Sequence, residues 1–146
     1  MNTSQEGLAL IRKYEGLELK AYRCPAGVWT IGYGHTKGVS PKQVIDQNEA
    51  NWLLANDVQG YEAAVNELVT VPLLQREFDA LVSFTFNLGA GSLRQSTLLR
   101  RLNAGEDKAT VFREELPRWN KGPNGPLLGL TYRRNAEVNL ACGQHS

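Results

Sequence analysis

Apolar positions along this chain change period several times, and each change marks an element. Leu8, Ile11 and Glu15 fall on one stripe at i, i+3 and i+7, which predicts an amphipathic first helix. Thr3 and Glu6 have capping-box spacing, so the helix is expected to begin there, and Gly16 suits its end. Glu15 therefore continues the apolar face in the last turn. It reads either as a salt-bridged helix-end carboxylate or as one that chemistry uses. Between Leu19 and Thr36 the strand formers Tyr22, Val28, Trp29, Thr30, Ile31 and Tyr33 surround Pro25-Ala26-Gly27, which predicts a β-hairpin. With residues 25–27 as its loop, Cys24 lies opposite Val28, and strand alternation puts Cys24 and Thr30 on one face. A register slip of one residue would undo that placement.

From Asp46 the period becomes helical. Asp46 with Glu49 is a second capping box, and Ala50, Leu53, Leu54, Val58, Tyr61 and Val65 follow at helical spacing, predicting a long helix. After Pro72, the residues Phe78, Leu81, Val82, Phe84, Phe86 and Leu88 leave the next helix apolar nearly all round, as a central core helix should be. Gly89-Ala90-Gly91 is expected to end it. Ser92 with Gln95 is expected to open a helix through Leu98, Leu99 and Leu102 to Gly105, and a further helix covers roughly Lys108 to Leu116. Residues 121–126 read as a surface loop, and Leu130 to Leu140 as a last helix bearing Arg133 and Arg134.

At 146 residues, 42% hydrophobic and 21% charged, the chain can bury one core, so a single domain over 1–146 is expected. A net charge of +1 supplies no basic excess for nucleic acid. No run approaches the ~18 apolar residues of a membrane span, and the start lacks a basic and apolar leader pattern. The expectation is a protein made soluble in the cytoplasm, with no stable membrane insertion. Cys24 and Cys142 lack metal-ligand spacing, so no metal is expected. Cytosolic thiols are the default, and a disulfide between the two is the alternative.

The chemistry concentrates near the N-terminus, where Glu15, Cys24 and Thr30 form E-x8-C-x5-T beside Trp29-Thr30-Ile31-Gly32-Tyr33-Gly34-His35. Cleaving a glycosidic bond takes a proton for the leaving oxygen and a group on the other face of the sugar to manage the cation-like carbon. Glu15 suits the first task, because burial and the negative helix end both favour its protonated form; a cation such as Arg133 or Arg134 would oppose them while fixing its position. For those arginines a solvated helix face is the equal alternative. Cys24 alone reads as an inert small hydrophobe.

The spacing and the flanking run resemble the phage lysozyme family of glycoside hydrolases, whose usual pattern is E-x8-D-x5-T; here cysteine stands in the aspartate position. Gly32 to Thr36, Asn56-Asp57-Val58, Phe86-Asn87-Leu88-Gly89, Trp119-Asn120 and Gly129-Leu130 with Arg133-Arg134 also match, in order, so the resemblance covers almost the whole chain. It implies an α+β, lysozyme-like fold: a small lobe with the hairpin over 1–45, a linking helix over 46–70 and a helical lobe over 71–146. It implies Glu15, Cys24 and Thr30 as catalytic residues and Phe86 and Asn87 on the cleft's far wall. His35 paired with Asp57 is implied as structural support, together with Arg133 and Arg134. The expected activity is an endolysin muramidase cutting the β-1,4 bond between N-acetylmuramic acid and N-acetylglucosamine in peptidoglycan. It needs no cofactor, acts as a monomer, and leaves the host cytoplasm at lysis through a separate holin. A lytic transglycosylase and a catalytically silent glycan-binding module are the alternative readings.

Overall fold

The computed structural model of the protein describes residues 1–144. Along the chain run α1 (Gln5–Glu15), β1 (Glu18–Arg23), β2 (Trp29–Gly32), α2 (Gln47–Leu68), α3 (Gln75–Leu88), α4 (Ala90–Gln95), α5 (Thr97–Asn103), α6 (Lys108–Glu115), β3 (Lys121–Gly122), β4 (Gly125–Pro126) and α7 (Leu128–Ala141). The α+β architecture is the expected one. Helix α3 is its axis: Phe78, Ala80, Leu81, Val82 and Phe84 are fully buried, and α1, α2, α4 and α7 all pack against it.

The start of α1 lies one residue later than its sequence suggests. Ser4, not Thr3, is the N-cap, its hydroxyl oxygen accepting from the Gly7 N–H at 3.3 Å. The reason is tertiary: the Ser4 backbone N–H donates to Asp79 of α3 at 3.0 Å and its hydroxyl donates to the same carboxylate. The Thr3 N–H goes to Glu62 of α2 at 2.6 Å. Helix α1 thereby packs with α3 and α7. At the other end Gly16 takes φ 74, a turn that a side chain would strain and that lets the chain leave immediately after Glu15.

In the hairpin the Cys24 N–H donates to the Val28 carbonyl at 3.0 Å and the Gly27 N–H to the Cys24 carbonyl at 2.8 Å. Tyr22 then pairs with Thr30 and Arg23 with Trp29, so the expected register holds at the turn; it shifts only between Glu18 and Tyr22. Lys20 bridges to Val44, which brings the segment before α2 alongside β1. Helix α2 starts where expected, Asp46 accepting from the Glu49 N–H at 2.8 Å.

Further boundaries differ from expectation, among them the start of α7 at Leu128 rather than Leu130. Ala90 and Gly91 belong to α4, and the helix expected from Ser92 to Gly105 is two helices broken at Ser96, whose oxygen accepts from the Leu99 N–H at 3.0 Å and caps α5. Residues 121–126 form the small β3–β4 hairpin where a loop was expected.

The small lobe is tied to α2 by His35. Its Nδ1 lies 2.8 Å from Asp57, and its Nε2 lies 2.8 Å from the Lys37 carbonyl. Both ring nitrogens face acceptors, so the pair binds the hairpin's closing turn to the linking helix. A double-mutant cycle combining His35→Asn and Asp57→Asn, followed by urea unfolding near about pH 6, is expected to show a coupling of about 1 kcal/mol. Additive single effects would show that the contact contributes nothing.

Candidate active site

Glu15 is held between two elements remote in sequence. Arg133 of α7 donates from Nη1 to Glu15 Oε2 at 2.6 Å. Glu15 Oε1 lies on the hairpin side, 3.6 Å from where a Cβ on Gly34 would sit. Gly34 has φ 84 and closes the tight turn in which Ile31 and His35 exchange backbone bonds at 2.9 Å. Glycine therefore meets the backbone requirement of this turn, while a Cβ at Gly34 would sit in ordinary contact with the carboxyl. A cavity of about 390 Å³ opens beside Glu15, lined also by Tyr14, Asn87, Leu130 and Arg133.

Arg133 is 3% exposed and Arg134 is 0% exposed, so neither lies on a solvated helix face. Arg133 also donates from Nη2 to the Ser83 carbonyl at 3.1 Å and approaches Glu137 at 3.6 Å. Arg134 pairs with Glu137 at 2.7 Å and its guanidinium lies 5.3 Å from the centre of the Phe84 ring. Burial pushes the Glu137 carboxyl above its usual range, against the pull of Arg134, and burial pulls Arg134 down. The Ser83 hydroxyl completes the group by donating to Glu137 at 2.6 Å. Of the two arginines, Arg133 touches Glu15, while Arg134 serves the network behind it.

Cys24 and Thr30 come together on one hairpin face. The Cys24 thiol is half-buried and its pKa is lowered, first by the Val28 backbone N–H, against an opposing effect of burial, and then by the Ala26 N–H, the Thr30 hydroxyl and its own N–H. These donors come from the turn itself, so the loop that fixes the register also favours the thiolate. Thr30 is 3% exposed, and its hydroxyl donates to the Val28 carbonyl at 2.9 Å; toward an incoming water it presents lone pairs. Glu15 lines the 390 Å³ cavity, whereas Cys24 and Thr30 do not. Both cysteines are free, and Cys142 lies against the Ala109 carbonyl of α6 at 3.9 Å.

The far wall is divided. Asn87 lines the cavity with Glu15, and its Oδ1 is buried without a hydrogen-bond partner. Phe86 is half-buried and stacks edge-on against Tyr61 of α2 with ring centres 5.2 Å apart.

The model of the family described as phage lysozyme matches residues 12–137. The chain belongs to the phage lysozyme family. It is 43% identical over 144 residues to an endolysin of Acyrthosiphon pisum secondary endosymbiont phage 1, an alignment covering 96% of this chain and 97% of that protein. It is also 44% identical over 143 residues to the endolysin of Bacillus phage PZA, where it spans 96% of this chain but only 55% of the relative's length. Among solved structures, the muramidase domain of SpmX from Asticaccaulis excentricus superposes with a TM-score of 0.88 at 39% identity, over 95% of this chain and 96% of that one.

Sequence reading missed Ser83, Glu137 and Gly34 as site supports. Only Glu137 left a signal, standing three and four residues after the two arginines on one helix. Its removal is the informative one. Glu137→Gln, which leaves Arg134 buried without its anion, is expected to lower unfolding free energy by about 3–5 kcal/mol in urea titration; a change under about 1 kcal/mol would show that the buried charges do not depend on one another.

The thiol yields a second expectation. The alkylation rate at Cys24 should rise with pH through an inflection below that of an unperturbed cysteine. Because the Thr30 side chain is among the influences that lower the Cys24 pKa, Thr30→Val should move the inflection upward. No movement would exclude the hydroxyl as a partner of the sulfur.

Proposed function

We propose that the protein is an endolysin muramidase, hydrolysing the β-1,4 bond between N-acetylmuramic acid and N-acetylglucosamine in bacterial peptidoglycan. The observation that carries the reading is the placement of Glu15. It is a cleft carboxyl fixed at one oxygen by a buried arginine, with the other oxygen toward the hairpin. Endolysin and muramidase relatives matched over most of this chain support the same conclusion.

In this mechanism a glycan lies between the lobes, and Glu15 carries a proton on the oxygen not engaged by Arg133. As the bond between the anomeric carbon and the bridging oxygen breaks, that proton passes to the leaving oxygen. Arg133 holds the carboxyl through the change of charge. On the opposite face a water attacks the anomeric carbon, ordered by the Thr30 lone pairs, and its proton passes to the Cys24 thiolate. The lowered pKa of the Cys24 thiol raises its anionic fraction, the charge that an aspartate would otherwise supply at this position. The product anomer is inverted, and water rather than the substrate's own hydroxyl completes the reaction. Asn87 reads the acetamido group, its unpaired Oδ1 being satisfied by the N-acetyl N–H. Phe86 braces this wall against Tyr61.

Before lysis the protein stays in the host cytoplasm as a monomer, and a separate holin opens its way to the wall. Among the described residues, no helix is long and apolar enough to cross a membrane.

Glu15→Gln is expected to remain folded yet lose about 10²–10⁴-fold in turnover, since the amide has no proton to give. Cys24→Asp is expected to stay active, with ordinary reducing muramic ends in both digests when products are read by mass spectrometry. Digests dominated by 1,6-anhydromuramic ends would make the protein a lytic transglycosylase, and turnover by Glu15→Gln within about a tenth of the parent's would remove Glu15 from the acid role.

A further inference from the structure

Gly129 stands in the first turn of α7 and lines the cavity of about 390 Å³ beside Glu15. Glycine weakens a helix, because it loses more backbone freedom on folding than any other residue, so its place there needs a cause. The backbone supplies none, since Gly129 is not among the glycines that take positive φ. Packing supplies none either. A Cβ on Gly7 would sit 2.7 Å from Asp79 and one on Gly122 would sit 2.6 Å from Leu127, whereas a Cβ on Gly129 would meet no atom of the described residues within 4 Å. Gly60 of α2 has the same freedom but forms no part of this cavity's wall. What sets Gly129 apart is its position. It precedes Arg133 by four residues, so the two share one face of α7, and Arg133 holds Glu15 from that face at 2.6 Å. A side chain at position 129 would therefore stand in the cavity, one turn from the guanidinium.

The other walls define what fits the space. Asn87 of α3 presents a buried Oδ1 that has no hydrogen-bond partner among the described residues, and Leu127 and Leu130 supply apolar surface. Among the same residues no side chain caps α7, which leaves the N–H groups of its first turn as donors. An unpaired acceptor, free backbone donors, an apolar wall and a missing side chain together match a small secondary amide that ends in a methyl group. We infer, on the muramidase reading above, that Gly129 is a specificity-determining residue: it keeps room for the 2-acetamido group of the sugar beside Glu15, and so selects N-acetylated glycan over glycan carrying free amines. The acetamido N–H donates to Asn87 Oδ1, the carbonyl accepts from the first turn of α7, and the methyl lies over Gly129 against Leu127 and Leu130. A sugar that has lost its acetyl group brings an ammonium in its place. It has no methyl to fill the space and no carbonyl to accept from the helix, and its charge stands near Arg133 and the positive end of α7. A side chain at position 129 would displace the methyl and hold the amide away from Asn87.

The test uses peptidoglycan glycan strands in two forms, fully N-acetylated and de-N-acetylated by a deacetylase, with cleavage followed by the reducing ends released. The parent protein is expected to cleave the acetylated strands with a kcat/KM about tenfold higher, and re-acetylation of the stripped strands with acetic anhydride should restore the rate. Gly129→Ala and Gly129→Leu replace glycine by better helix formers, so both should unfold at or above the parent's temperature, which separates loss of function from loss of fold. On acetylated strands Gly129→Ala is expected to lose about threefold and Gly129→Leu about tenfold in kcat/KM, bringing the leucine variant close to equal rates on the two forms. Gly60→Ala, the same change on a helix outside the cavity wall, should match the parent on both. Equal kcat/KM of the parent on the two forms would overturn the acetamido assignment while leaving the muramidase reading standing. So would parent-like cleavage of acetylated strands by Gly129→Leu, or a loss by that variant of the same factor on both forms. Cleavage of neither form by the parent protein would overturn the muramidase reading, and the role of Gly129 with it.

Discussion

Two guanidinium groups buried on consecutive residues of one helix are the constraint around which this molecule is organised. An arginine taken out of water needs an anion beside it, because an unpaired buried charge costs several kcal/mol. Arg134 is answered by Glu137, and Arg133 by Glu137 at longer range and by Glu15 at 2.6 Å. Two positive and two negative groups thus close a neutral set behind the cleft. The reactive carboxyl is one member of that set, so its position is fixed by the electrostatics of the core rather than by its own short helix.

The hairpin solves a different problem with backbone alone. A thiol is a poor substitute for a carboxylate in charge and in hydrogen bonding, yet the backbone of Val28 and Ala26 holds the Cys24 pKa below its ordinary value. These groups belong to the peptide chain, so side-chain changes in the loop leave them in place as long as the turn geometry survives. What matters at Ala26 and Val28 is the conformation they adopt.

Local signals made much of this legible from sequence. The Pro25-Ala26-Gly27 turn gave the correct pairing of Cys24 with Val28, and Asp46 with Glu49 located the start of α2, because both features involve residues within a few positions of each other. The family resemblance in the motif brought Glu15, Cys24, Thr30, His35 and Asp57 forward together. What sequence could not show was set by distant partners. Thr3 and Ser4 are equivalent caps until Asp79, 75 residues later, binds one of them. Ser96 is the local exception, one more polar residue in a helical pattern until its side chain is seen capping the Leu99 N–H three residues on. The arginine pair reads equally as a solvated face or as a partner for Glu15, and only the packing of α7 on α3 shows that both are buried.

The bond between Glu15 and Arg133 joins residues 118 positions apart. A chain emerging from the ribosome completes its reactive carboxyl, its thiol and its hairpin early, and makes the arginine that orients that carboxyl almost last. Helix α7 also supplies one wall of the cavity beside Glu15. Every nascent chain short of α7 therefore holds Glu15 without the cation that it pairs with in the finished fold. The order of synthesis itself delays this ion pair until the molecule is nearly whole, a form of timing written into topology.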